Sequence, residues 1–394
     1  MDTHVNLDLI ERIATSFSPS APINKKAFAG REAQINDVVS ACMQRGQHVV
    51  IFGERGAGKT SLANALSQML VSRFVMPDCG TINCDQTTTF ASLWRAILSE
   101  IPISRNATNR SPAGPDRAQG TFAQFLPENV TPHAVTAALQ NRGKILIIVD
   151  EVDRIQDKTT TTLLADTIKS LSDHVIDTTL VLVGVAESVE TLIAEHESIQ
   201  RALVQVHMPR MSQSEIDTII DNGLSNVRMT IHDNAKRRLF KLSQGLPHYA
   251  HLLGMHSAMT AAAQGRMQIT IDDAHQALRK ALRQAQHGVG EDYERVAMAI
   301  SDNLNHWVLL ACALASTDEH GYFSARDVGI PLRMLMKKDF PVTVFNHHLA
   351  AYCETRNGPV LRKTASARGF RFKFRNAAMQ PYIILKALEA KKIS

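Results

Sequence analysis

Residues 48–60 read His48-Val49-Val50-Ile51-Phe52-Gly53-Glu54-Arg55-Gly56-Ala57-Gly58-Lys59-Thr60. The run 48–52 predicts a buried strand, and Ser61-Leu62-Ala63-Asn64-Ala65-Leu66 predicts the start of a helix. Between them stands G-x-x-x-x-G-K-[ST], a loop whose glycines let backbone N–H groups wrap a phosphate chain at a helix N-terminus. Lys59 is expected to reach the β- and γ-phosphates and the Thr60 hydroxyl to ligate Mg²⁺. The predicted contacts of a nucleoside triphosphate are Gly53, Glu54, Arg55, Gly56, Ala57, Gly58, Lys59, Thr60 and Ser61.

A second segment has the composition such a loop needs beside it. Ile145-Leu146-Ile147-Ile148-Val149 is a continuous apolar run, as in a central parallel strand, and it ends in Asp150-Glu151. A carboxylate at that strand end can hold Mg²⁺ through water, and its neighbour can polarise a water for in-line attack on the γ-phosphate. Asp150 is therefore the expected metal-side residue and Glu151 the catalytic one. The adjacent Asp-Glu favours a hydrolase over a small-molecule kinase.

The alternation of buried runs and helical patterns places a doubly wound α/β domain over about 28–210. Helices are expected over 7–16, 31–46, 90–98, 132–142 and 160–173, and strands near 79–84 and over 144–149, 180–185 and 203–208. Residues 102–130 hold four prolines among many polar residues and read as a long surface loop. From Ser212 to about Gln286 the pattern is helical, with starts at Ser212, Asp233 and Thr270 and a break at Gly245-Leu246-Pro247. His287-Gly288-Val289-Gly290 interrupts the helices, which then resume to about Ala315. From Gly321 the order is helix, helix, strand, turn, strand, helix.

A chain of 394 residues suggests two or three domains, and 44% hydrophobic with 21% charged residues is ordinary for a globular protein. No apolar run approaches a membrane span, and the N-terminus lacks the basic-then-apolar pattern of a secretory signal. The five cysteines are odd in number and scattered, so neither a disulfide framework nor a zinc site is supported, and reduced thiols in a cytoplasm are the simplest account. The charge is unevenly spread. Residues 302–394 hold fourteen Lys/Arg and seven Asp/Glu, so the basic character belongs to the C-terminal quarter and points to an acidic partner there.

Loop, Asp150-Glu151-Val152-Asp153, helical segment and basic tail together resemble the AAA+ ATPases. The nearest branch is the replication-initiator type of origin-recognition and archaeal initiator proteins, and bacterial transposition and defence proteins are similar in build. The resemblance implies a P-loop AAA+ doubly wound parallel sheet (28–210) after an N-terminal helix and connector (1–27). An α-helical lid (211–290) and a C-terminal winged-helix domain (291–394) follow. Phe28-Ala29-Gly30-Arg31-Glu32-Ala33-Gln34-Ile35 resembles that branch's N-terminal box, whose backbone lies near the adenine, so the resemblance implies Phe28 and Arg31 as nucleotide-binding residues. The resemblance also implies homo-oligomers in which Arg201 reaches a neighbour's γ-phosphate. A solvated surface arginine is the equal alternative, with Arg210 the second candidate. Where the family usually has a sensor Asn the chain has Ala186-Glu187-Ser188, and where it has a lid Arg the chain has His248. His248, His251 and His256 lack a completing carboxylate or cysteine for a metal set and are read as helix-packing residues.

In the tail, Val342–Leu349 is the expected recognition helix, although its β-branched start opposes helix formation. Val360–Thr364 and Phe370–Arg375 read as a β-hairpin, with Phe370, Phe372 and Phe374 on one face and Arg371, Lys373 and Arg375 on the other. With Arg362, Lys363 and Arg368 these cations suit contacts to DNA phosphates. A basic patch meeting an acidic protein effector, as in a defence or signalling assembly, is the competing reading.

Overall fold

The computed structural model describes residues 7–17, 30–74, 78–101, 121–186, 197–299, 304–318, 320–354, 359–366, 369–376 and 379–390. The chain divides into two units, one of residues 21–209 and one of residues 1–20 with 210–394. The first helix, α1 (Leu7–Ser16), belongs to the latter.

The unit of 21–209 is built on a five-stranded parallel sheet. In chain order its elements are α2 (Glu32–Met43), β1 (His48–Gly53), α3 (Lys59–Phe74), β2 (Asp78–Asn83), α4 (Phe90–Glu100), α5 (Pro132–Leu139), β3 (Ile145–Asp150), α6 (Lys158–Asp173), β4 (Thr178–Val185) and β5 (Leu203–Met208). The strand order is β2-β3-β4-β1-β5, so β1 and β3 flank β4 and their carboxyl ends lie on one edge. That edge is where open α/β sheets place their ligands.

Period-two alternation sorts each strand between two cores. Val50 and Phe52 with Ile145, Ile147 and Val149 face a cluster holding Trp94, Ile97, Leu164 and Ile168. Val49 and Ile51 with Leu146 and Ile148 face a cluster holding Val38, Leu62, Leu66 and Leu70. Both faces of the sheet are thus covered, which is why β1 and β3 read as unbroken apolar runs. Part of the expected surface loop belongs to this core. Residues 102–120 lie outside the described residues, but Phe122, Leu126 and Val130 are buried against α4 and α5. Their spacing puts one apolar side chain inward every fourth residue, a signal hidden by the surrounding polar composition.

The second unit adds α7 (Gln213–Ser225), α8 (Asp233–Ser243), α9 (Pro247–Ala263) and α10 (Ile271–Ala299). A short parallel pair, β6 (Thr230–Ile231) and β7 (Gln268–Ile269), joins them. Ser212 caps α7 reciprocally with Glu215, the capping box its sequence carries. The expected break at 287–290 does not occur, and α10 runs through both glycines. A mid-helix glycine costs about 1 kcal/mol, and packing offsets it here. Val289 and Val296 are buried, and a Cβ on Gly290 would stand 3.3 Å from the Tyr382 hydroxyl. The N-terminal α1 packs on α7 and α9, and the Phe17 ring after it fills a notch where Cβ atoms on Gly223 and Gly254 would stand 2.4 and 2.6 Å away. Residues 18–29, with Phe28, lie outside the described residues.

The tail contains α11 (Asn305–Leu314), β8 (Phe323–Ser324), α12 (Ala325–Met336), α13 (Val342–Ala351), β9 (Leu361–Ser366), β10 (Gly369–Phe374) and α14 (Met379–Glu389). The three strands form an antiparallel sheet in the order β8-β10-β9. Helix α13 forms despite its β-branched start, because Phe345, His348 and Leu349 are buried along one face. Among the described residues no helix is long and apolar enough to cross a membrane.

Candidate nucleotide site and basic tail

The phosphate loop leaves β1 at Gly53, whose backbone (φ 150°) lies so close to β5 that a Cβ there would stand 2.6 Å from the Met208 carbonyl oxygen. Gly56 and Gly58 take φ 82° and φ 90°, values that favour glycine and that bend the chain around a cradle. Helix α3 begins at Lys59, which puts the positive end of its dipole at that cradle. Lys59 Nζ is turned inward and donates to the carbonyls of Gly53 at 3.1 Å and Glu54 at 2.7 Å. Burial pushes its ammonium down to about 8, opposed chiefly by Asp153 and Asp150. A cation so placed gains most from a phosphate.

The strand order brings the second motif beside the first. Asp150 is 5% exposed at the end of β3, hydrogen-bonded to the Thr60 hydroxyl and to the Glu151 N–H at 2.7 Å. Burial raises its carboxyl above the usual range, with the neighbouring hydroxyl and N–H working against that. A buried carboxylate touching a loop hydroxyl at a phosphate cradle fits the donor set that Mg²⁺ with a triphosphate requires. Thr60 and Asp150 are the residues that could hold the ion.

Glu151 stands outside this buried pair. Its backbone is left-handed (φ 57°, ψ 36°), which no ordinary strand–turn junction needs. Its exposed carboxylate meets Arg154 Nη1 at 2.8 Å across the 3₁₀ turn Val152–Arg154. Asp153, in the same turn, accepts the Val185 N–H at 2.7 Å and so ties the end of β4 to this motif. Neither contact was legible in the sequence beyond the acidic character of 150–153. Both depend on a turn bringing non-adjacent groups together.

The remaining predicted residues divide by location. Arg31 has left-handed backbone (φ 67°, ψ 24°) and a buried side chain whose Nη2 donates to the Pro209 carbonyl and to the Ala57 carbonyl at 3.5 Å. Arg201 is exposed at the end of a 3₁₀ segment before β5. Arg210 reaches the Gln244 carbonyl at 3.5 Å. Glu187 and Ser188 lie outside the described residues. His248 belongs to the second unit, exposed on the first turn of α9 beside Tyr249. His251 and His256 are buried on α9, and the His251 ring meets Phe17 edge-on.

On the tail hairpin the expected alternation holds in part. Phe372 and Phe374 are buried, whereas Phe370 at the hairpin end is 53% exposed and carries Lys363 Nζ over its ring at 4.0 Å. Arg371 is committed to Asp318 at 2.9 Å and lies over Tyr322 together with Lys373. The outward cations are thus Arg362 and Lys363 on β9 and Arg375 after β10, while Arg368 lies outside the described residues. The edge strand β9, not β10, carries the accessible charge.

Residues 42–193 match the family model described as an AAA domain. This segment, about two fifths of the chain, holds the loop, Thr60, Asp150 and Glu151. A search of curated proteins returned no match. The fold is similar to that of a Walker-type ATPase of Pyrococcus abyssi, with 15% identity, 94% of this chain and 99% of that one covered and a TM-score of 0.57. It is similar also to Cdc6p from Pyrobaculum aerophilum, with 13% identity, 96% and 98% covered and a TM-score of 0.50.

Proposed function

We propose that this chain, whose 42–193 segment is an AAA-type ATPase domain of the replication-initiator-like branch, oligomerises and uses its ATP state to control assembly on DNA. The observation that carries the reading is the convergence at one sheet edge of an inward Lys59, a Thr60–Asp150 pair and an exposed Glu151. ATP is the substrate, and Thr60 and Asp150 would hold a Mg²⁺ ion that would supply neutralising charge to its phosphates. Lys59 exchanges its two carbonyl partners for phosphate oxygens, and the Glu151 carboxylate orients the attacking water. Arg201, exposed at the end of its 3₁₀ segment, supplies a cation to a neighbouring protomer's site. Arg362, Lys363 and Arg375 hold DNA phosphates, which give affinity rather than sequence choice.

Fluorescence anisotropy with labelled duplex DNA across a salt series, with and without ATP, tests this. Affinity that falls with rising salt and depends on nucleotide supports it. No binding at low salt in either state favours the second reading, in which the ATP state gates a protein effector and the basic tail docks on that partner. In that alternative the outward cations pair with carboxylates of the partner, as Arg371 pairs with Asp318 within the tail.

A further inference from the structure

We propose that α8 and α10 together form a binding site for a phosphate group, centred on Arg238 and His275 and flanked by Lys241 and Arg279. The site lies wholly within the second unit and stands whether or not the phosphate loop binds ATP.

At its centre is a cation without an anion. Arg238 Nε donates to His275 Nε2 at 3.0 Å, so the guanidinium rests on the lone pair of another basic group. Its Nη2 is enclosed and, among the described residues, has no hydrogen-bond acceptor. Leaving an enclosed charged donor unmade costs more than leaving a neutral one. The same helix shows what a satisfied cation looks like. Lys236 pairs with Asp221 of α7 at 2.6 Å. Residues two apart point about 200° apart around a helix, so α8 satisfies its cation toward α7 and leaves one short of an acceptor toward α10.

The two helices are held level, which gathers further charge at this point. Strands β6 and β7 pair in parallel with Ile231 opposite Ile269, and one residue separates each strand from its helix. Lys241 follows Arg238 by three residues and Arg279 follows His275 by four, spacings that keep each on its neighbour's face about one turn further on. Both are exposed, and neither they nor Arg238 pair with a carboxylate among the described residues. A single carboxylate brings one charge for one fork. A phosphate brings more oxygens and, as a dianion, charge for Lys241 and Arg279 as well.

The imidazole is set to respond. Burial and then the Arg238 charge hold His275 below its ordinary range, Arg279 adds to this, and Asp272 works against it. A neutral ring that accepts at Nε2 carries its proton on Nδ1. When a phosphate arrives, the guanidinium turns its fork to the phosphate oxygens and frees Nε2. The anion then favours a second proton on the ring, which donates to the same group.

Histidine side-chain NMR of the full chain tests this, in a Lys59→Ala background so that the phosphate loop does not compete, with His275→Gln assigning the signal. Sodium pyrophosphate, compared with sodium chloride at equal ionic strength, should raise the His275 titration midpoint by about one unit, the low end for an opposite charge at close range. Arg238→Gln, and separately Lys241→Ala with Arg279→Ala, should each weaken that binding by about tenfold, the scale of a lost charge-assisted hydrogen bond. The exposed pair serves if Arg238→Gln fails to fold. A second arm follows the same signal on adding duplex DNA to a chain whose tail also carries Arg362→Glu and Lys363→Glu. Any response to DNA identifies a nucleic-acid backbone as a source of the phosphate, and a response to pyrophosphate alone identifies a free phosphate compound. A His275 midpoint moved by neither overturns the proposal, as does binding that the folded variants leave unchanged.

Discussion

Glu151 Oε2 and Arg154 Nη1 stand 2.8 Å apart across a single 3₁₀ turn, both side chains about half exposed. The carboxylate proposed to orient water is therefore paired in this structure with a cation three residues away. An exposed pair of this kind is worth less than about 1 kcal/mol, so it orients the side chain without locking it. Glu151→Gln should keep ATP affinity and lower turnover by about a hundredfold or more, the scale of general-base loss. Wild-type turnover in that variant, measured by phosphate release, removes Glu151 from its assigned role.

Lys59→Ala should abolish nucleotide binding, because the inward ammonium is the group whose carbonyl partners a phosphate replaces. Isothermal titration with ATP and Mg²⁺ reads this directly. If Arg201 acts on a neighbour, mixing Arg201→Ala with Lys59→Ala protomers should restore part of the ATPase activity that each lacks alone.

The fully buried His48 ring accepts the Leu180 N–H at Nδ1 and is held by burial down to about 4, from an ordinary 6.5. Its folded pKa lies below its unfolded one, so the unfolded chain binds the extra proton. The stability it supports is complete above the unfolded value and is lost as pH falls from there toward the folded value. Between about pH 7.5 and about pH 5 this amounts to about 2 kcal/mol. Urea melts of His48→Asn should be flatter over that window than the wild type. Equal slopes would show that His48 is not the group responsible.

Arg362→Glu with Lys363→Glu should weaken DNA binding and reduce its salt dependence by about two counterions. Arg371→Glu should act mainly on folding, since it sets a second carboxylate against Asp318. Anisotropy and thermal melts on the two variants separate affinity from stability, and equal losses of affinity at unchanged stability would put the binding face on β10 instead.

Phe17→Ala should destabilise the second unit by about 3–5 kcal/mol, because the ring fills a notch that only two glycines leave open. Gly254→Ala should have the same effect by filling the notch from the other side. A differential scanning calorimetry trace unmoved in both variants would show that α1 is not held by this contact.

Much of the site was legible because its chemistry is local. Glycines at three loop positions, a lysine at the helix start and two carboxylates after an apolar run announce a phosphate cradle through spacing alone. The three central strands β1, β3 and β4 were legible for a similar reason, since burial on both faces leaves a near-continuous apolar signature that the edge strands β2 and β5 lack. The glycines at 288 and 290 misled, because propensity is a weak prior where Val289, Val296 and Tyr382 pack. The polar surroundings of Phe122, Leu126 and Val130 hid a piece of core for the opposite reason.

What the sequence by itself determined is the identity of the groups: a glycine-rich loop with its lysine, two adjacent carboxylates after an apolar strand and a surplus of cations in the tail. Periodicity and motif spacing are short-range properties, and these groups follow from them. Only the tertiary structure decided which partners the groups have. It gave the Arg31 side chain the carbonyls of Ala57 and Pro209, paired Glu151 with Arg154, and consigned Arg371 to Asp318 while leaving β9 to carry the outward charge. Hydrogen-bond partners distant in sequence depend on strand order and turn geometry, which no local pattern encodes.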